Sequence, residues 1–191
     1  MDIDDYLERA YNEVSDNIKF SEAKNAALIT LNSALIAWGG SIVFDSGIYF
    51  IYRVMVALFV LLLLLPLICS IISFRATTDS ERGIIKKFYA YLDSKNTIPS
   101  EPQKHLYYAY IHKYYNSNPE KYINDIFSAN INDIEKIYFA QIARQIVDLA
   151  STAYRKFSLF NICVKMECVI FSLGGVLSLI YLIVKCIIRI V

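Results

Sequence analysis

The chain has 191 residues, 56% of them hydrophobic and 19% charged, with a mean hydropathy of +0.40 and a formal net charge of +1. These proportions exclude an ordinary soluble domain. The overall charge says nothing about partners, but its distribution along the chain does. Cys69, Cys163, Cys168 and Cys186 show no CxxC spacing, so neither a disulfide scaffold nor a zinc site is expected.

Residues 1–24 carry seven Asp/Glu against three Lys/Arg, with no basic segment ahead of an apolar run, so no cleavable secretory signal is expected. Tyr6, Ala10, Val14 and Ile18 recur at spacing four with acidic residues opposite, the pattern of an amphipathic helix that packs on a polar part of the same chain. Interfacial membrane helices are usually basic, which disfavours a place on an anionic bilayer. Asn25–Phe44 then holds twenty uncharged residues and reads as a first membrane span. Ser33, Ala37 and Ser41 form a stripe of small residues, a candidate helix–helix contact, and Asn32 is expected to face protein or a pore rather than lipid.

Phe44–Tyr49 is a short turn with Asp45 and Gly47 and no basic residue. It leads to the most apolar stretch of the chain, Val54–Phe74, 21 residues without a charge and bracketed by Arg53 and Arg75. At about 1.5 Å per residue that run spans roughly 30 Å, the thickness of a hydrocarbon core. In lipid every backbone amide must be bonded within its own segment, so the run must be helical. Pro66 within it removes one backbone hydrogen bond and predicts a kink.

Arg75–Phe157 is the one sizeable polar stretch, with twelve Lys/Arg, nine Asp/Glu, both histidines and ten of the fifteen tyrosines. The positive-inside bias places it and the N-terminus in the cytoplasm, with the Asp45 turn outside. Helices are predicted over Glu81–Leu92 and Lys104–Tyr115, with a loop at Asn96–Pro102 between them. Another starts at Asn118-Pro119-Glu120 and runs to about Ala129, since a capping residue, a proline and a first-turn acid mark a helix start. Ile134, Tyr138, Ile142, Ile146, Leu149, Ala153, Phe157 and Phe160 then mark one face of a long helix. It continues into a third span, Cys168–Val184, with Lys165 and Glu167 at its inner edge and Lys185 and Arg189 at its far end. A bend at Gly174-Gly175 that returns the tail to the inner face is the alternative. Gly174 and Ser178 join Asn32, Ser33, Ala37 and Ser41 as candidate packing positions in the spans.

The expected architecture is therefore an all-α integral membrane protein. It comprises an amphipathic helix (1–24), a transmembrane hairpin (25–74), a cytoplasmic helical domain (75–157) and a C-terminal helix continuing into a third span (158–191). No phosphate-binding glycine loop, nucleophile elbow or HExxH pattern is present, so no enzyme, cofactor or metal site is expected. Candidate ligand contacts are Arg82, Lys86, Lys87, Lys104, His105, Tyr108, His112 and Lys113. Tyrosines beside basic residues can stack a base and hold a phosphate, but they also build an ordinary amphipathic core. Arg82, Lys86 and Lys87 can equally serve as the topological signal or bind anionic headgroups. His105 and His112, two turns apart, fit surface histidines better than metal ligands, because no Cys or acid accompanies them.

Three stretches carry a family resemblance: SEAKNAALITLNSALIAW (Ser21–Trp38), HLYYAYIHKYYNSNPEKYINDIF (His105–Phe127) and IEKIYFAQIARQIVDLASTAYRKFSLFNICVKMECVIFSLGG (Ile134–Gly175). In order and spacing the chain resembles the Pycsar transmembrane effector family of bacterial anti-phage systems. The resemblance implies a multi-pass protein of the bacterial cytoplasmic membrane, encoded beside a nucleotide cyclase. A cyclic pyrimidine nucleotide made during infection would trigger it to impair the membrane. No family ligand-binding motif maps onto particular residues here. The expected partners are the lipid bilayer, further copies of the chain, and a cyclic-nucleotide ligand or a cytoplasmic protein partner, with no direct contact to nucleic acid. The alternative function is a membrane scaffold or sensor that docks a separate cytoplasmic effector.

Overall fold

The computed structural model describes residues 3–74, 107–115, 118–126 and 133–190. Five α-helices make up these residues: α1 (Ile3–Phe44), α2 (Phe50–Ser73), α3 (Tyr108–Tyr115), α4 (Pro119–Ile126) and α5 (Asp133–Ile190). The helix expected over Glu81–Leu92, the loop at Asn96–Pro102 and the stretches Lys104–Leu106 and Phe127–Ala129 lie outside the described residues. The chain divides into two compact units, Met1–Ala23 with Arg75–Ser158, and Lys24–Phe74 with Leu159–Val191.

The first unit is a helical lobe. Its core gathers Leu7, Ala10 and Val14 of α1, Ile111 and Tyr115 of α3, Tyr122 of α4, and Phe139, Ala143, Ile146, Val147 and Ala150 of α5. Burying each large aliphatic side chain contributes about 1.5–3 kcal/mol, which stabilises short helices that would not persist alone. The α1 stripe shares Ala10 and Val14 with the spacing-four pattern, while Leu7 is buried and Tyr6 and Ile18 are only partly so. The α5 stripe is displaced from the expected one: Tyr138 is 58% exposed whereas Phe139 is 7% exposed. Both readings satisfy a 3.6-residue period. The true face is built partly from alanines, whose small side chains let α5 approach its neighbours closely. Asn118 caps α4 as expected, its Oδ1 accepting from the Lys121 backbone N–H at 3.2 Å, with Pro119 in the first helical position.

The second unit consists of the remaining part of α1, all of α2 and the remainder of α5, and it inverts the usual order of burial. Its inward stripes are Asn25, Leu28, Asn32 and Gly39 on α1, Leu63, Pro66, Ser70 and Ser73 on α2, and Leu159, Cys163, Glu167 and Ile170 on α5. Large apolar side chains face outward instead, among them Leu31, Trp38, Leu58, Leu61, Ile71, Val169, Leu177 and Ile180. In water such a surface would drive aggregation, whereas in lipid it is the lowest-energy one. All three helices are long and apolar enough to cross a membrane. Where α1 meets α2, a Cβ on Gly39 would run into Val60 Cγ2, so that glycine permits a close approach. The ring of Phe59 sits 3.1 Å from where a Cβ on Gly174 would stand.

Two of the helices run on without a break. The amphipathic helix and the first span are one unbroken helix, α1, because nothing between Ile18 and Asn25 interrupts its backbone bonding. The helix α5 likewise passes straight through Gly174-Gly175, as the single long helix of the sequence reading expects, and the alternative bend that would return the tail is not formed. Consecutive glycines lower helix propensity by about 1 kcal/mol each, too little to break a helix in lipid, where a freed amide has no water to bond.

Candidate functional site

The polar interior of the membrane unit is its most unusual chemistry. Asn32 Nδ2 donates to Glu167 Oε1 at 2.6 Å, and both residues are buried, at 0% and 6% exposure. About two turns toward the start of the span, Asn25 Nδ2 donates to Ser73 Oγ at 3.0 Å. Between these positions Cys163 Sγ donates to the Pro66 carbonyl at 3.6 Å, beside buried Ser70. Pro66 has no N–H to give the Leu62 carbonyl four residues before it; the Cys163 thiol bonds the carbonyl of Pro66 itself.

Glu167 is the residue that sequence reasoning missed. A count of charges sets it at the edge of the third apolar run, next to Lys165. The two diverge: Lys165 is exposed, free to extend its ammonium along the helix, while Glu167 turns inward. The signal was present in the register, since Leu159, Cys163, Glu167 and Ile170 lie at spacings of four, four and three on one face. The remaining packing candidates separate by face. Ser33, Ala37 and Ser41 are exposed on the side of α1 away from Asn32, Gly174 lies against Phe59, and Ser178 is exposed.

In the lobe, α3 presents its residues in two directions. His112, expected at the surface, is buried: its Nδ1 lies 2.9 Å from Ser151 Oγ and its ring stacks on Tyr154 at 4.4 Å. Ser151 Oγ also lies 3.0 Å from the Val147 carbonyl, to which it can donate, so the His112 ring is tied through Ser151 to the α5 backbone. Tyr108 is half-buried and stacks on Phe157, which in turn meets Phe20. Lys113 is exposed, its Nζ 5.5 Å from the centre of the Tyr114 ring. His112 and Lys113 thus point to opposite sides and do not converge. Arg82, Lys86, Lys87, Lys104 and His105 lie outside the described residues. Lys156 on α5 forms an ion pair with Glu22 on α1.

Burial raises the phenols of Tyr6, Tyr108, Tyr115 and Tyr122 above their ordinary value, with Asp125 adding to the effect at Tyr115, whose hydroxyl donates to it at 3.2 Å. A raised phenol favours the protonated, folded state, and the unfolded chain deprotonates first. The lobe should therefore keep this stability below pH 10, the ordinary phenol value, and lose it progressively above. Near-ultraviolet circular dichroism followed through an alkaline titration should show loss of tyrosine signal beyond that pH with the apolar spans still helical. A fixed signal through the tyrosine titration range would refute it.

An outward apolar surface, three spanning helices and a polar interior define an α-helical, multi-pass membrane protein. The model of the Pycsar effector protein domain matches residues 6–185, and the chain belongs to that family. It is a membrane effector of anti-phage defence. Neither curated proteins nor solved structures give a significant match.

Proposed function

We propose that the lobe receives a cyclic nucleotide and that the chain then rearranges or oligomerises to impair the inner membrane, without catalysing a reaction. The observation that carries this reading is the inverted burial of the membrane unit: outward leucines hold it in lipid while Asn25, Asn32, Ser70, Ser73 and Glu167 give its interior the means to interact with water or ions. The excess of basic residues in Arg75–Phe157 supports a cytoplasmic lobe, where a nucleotide signal would arise. Rearrangement needs alternative packings of similar energy, and helices that associate in lipid through small residues and single hydrogen bonds of about 1 kcal/mol provide them. The exposed Ser33, Ala37 and Ser41 offer a surface on which a second copy could pack closely.

Full-length protein reconstituted in liposomes should release an entrapped dye on addition of 3′,5′-cyclic CMP or cyclic UMP and remain tight without them. A bilayer inert under both nucleotides defeats the proposal. A stoichiometric cytoplasmic protein that co-purifies with the chain would instead favour a scaffold. Ser33→Leu combined with Ala37→Leu should reduce the oligomer size of the nucleotide-treated protein in detergent, and an unchanged size would remove that stripe as the contact.

A further inference from the structure

Asn32 and Glu167 are costly where they stand. Asn32 lies eight residues inside the span from Lys24, about 12 Å along the helix, and Glu167 is drawn to the same depth by their hydrogen bond. Among the described residues no Lys or Arg forms an ion pair with Glu167, so Asn32 answers its carboxyl group with a dipole and no charge. Asn32 Oδ1 is buried and has no hydrogen-bond partner. A pair retained only for stability would be replaced at little cost by two packed leucines. What the pair offers is a set of hard oxygens, the Glu167 carboxylate and Asn32 Oδ1, facing the interior of a three-helix unit. Such donors suit an alkali cation and repel an anion.

We infer that Asn32 and Glu167 form a cation-binding element that makes the leak through this effector selective for monovalent cations over anions. The inference rests on the proposed membrane-impairing role and deepens it by naming what passes and which residues discriminate. In this structure Asn32 Nδ2 donates to Glu167 Oε1. The Asn32 Oδ1 atom and the rest of the carboxylate supply the oxygens that replace part of the hydration shell of a K⁺ ion.

Two measurements on the full chain test this. In planar bilayers of neutral phosphatidylcholine under a KCl gradient, with cyclic CMP or cyclic UMP added, the wild type should pass K⁺ in preference to Cl⁻. Glu167→Gln keeps an acceptor for Asn32 and removes the charge, and should bring the permeability ratio about tenfold closer to unity while current persists. A wild type equally permeable to both ions, or a Glu167→Gln protein with the wild-type ratio, overturns the inference and leaves the effector reading standing. Independently of any activation, detergent-solubilised wild type should melt at a higher temperature in KCl than in choline chloride of equal ionic strength, and Glu167→Gln and Asn32→Leu should lose that difference. Silent bilayers count against the effector reading alone, and the melting comparison then decides the site: a K⁺-dependent rise lost in both variants supports it, and no rise in the wild type overturns it.

Discussion

Tyr122→Ala should unfold the lobe, or come close to it. Tyr122 is fully buried, meets Tyr115 edge-on at 5.1 Å and shares a hydrogen bond with Tyr6. Truncating a buried aromatic residue to alanine costs about 3–5 kcal/mol, and small domains have only about 5–15 kcal/mol in total. The cavity would open where α1, α3, α4 and α5 all contribute side chains, so no single helix could close it by a small shift. Tyr122→Phe should lose only about 1 kcal/mol, the worth of the hydroxyl bond. Tyr138→Ala, at an exposed position on α5, should change stability by less than about 0.5 kcal/mol. Hydrogen exchange of lobe amides in the detergent-solubilised protein measures all three. Equal effects at Tyr122 and Tyr138 would mean that the α5 register in the lobe is wrong.

The second large effect belongs to the membrane unit. Gly39→Leu should separate α1 from α2, because a Cβ there would run into Val60, a branched side chain with little rotamer freedom. Overpacking of this kind costs about 1–3 kcal/mol in a packed interior. The adjacent Gly40 has no atom within 4 Å of a Cβ position, so Gly40→Leu adds a side chain to the outer surface and should be nearly neutral. Thermal unfolding in a mild detergent should therefore distinguish two substitutions one residue apart. If both variants melted like the wild type, the close approach of α1 and α2 would not exist.

Much of this architecture was legible from residue order because membranes impose strict rules. Val54–Phe74 could be nothing but a helix once its length and lack of charge were seen, and Asn118-Pro119-Glu120 marked the start of α4. The inner contacts were harder to read. Asn32 announced that it needed a partner, but its partner lies 135 residues away, and no local pattern identifies it. Glu167 was misplaced because counting charges along a chain treats every acid as solvent-facing, whereas the direction of a side chain depends on register. The α5 face in the lobe is shifted by one position because Ala143 and Ala150 carry little apolar signal, yet both are fully buried in the core. His112 looked like a surface residue for want of a nearby acid or cysteine. A serine hydroxyl 39 residues on and the face of Tyr154 proved sufficient to bury it.

On the proposed function, this chain compromises the membrane it spans when its signal arrives. The most direct measurement is the membrane potential of living bacteria, read with a voltage-sensitive dye, in cells producing the protein with and without a pyrimidine nucleotide cyclase. The potential should collapse only when both are present, with Glu167→Gln altering the response. Cells that stay polarised with both proteins abundant would contradict it.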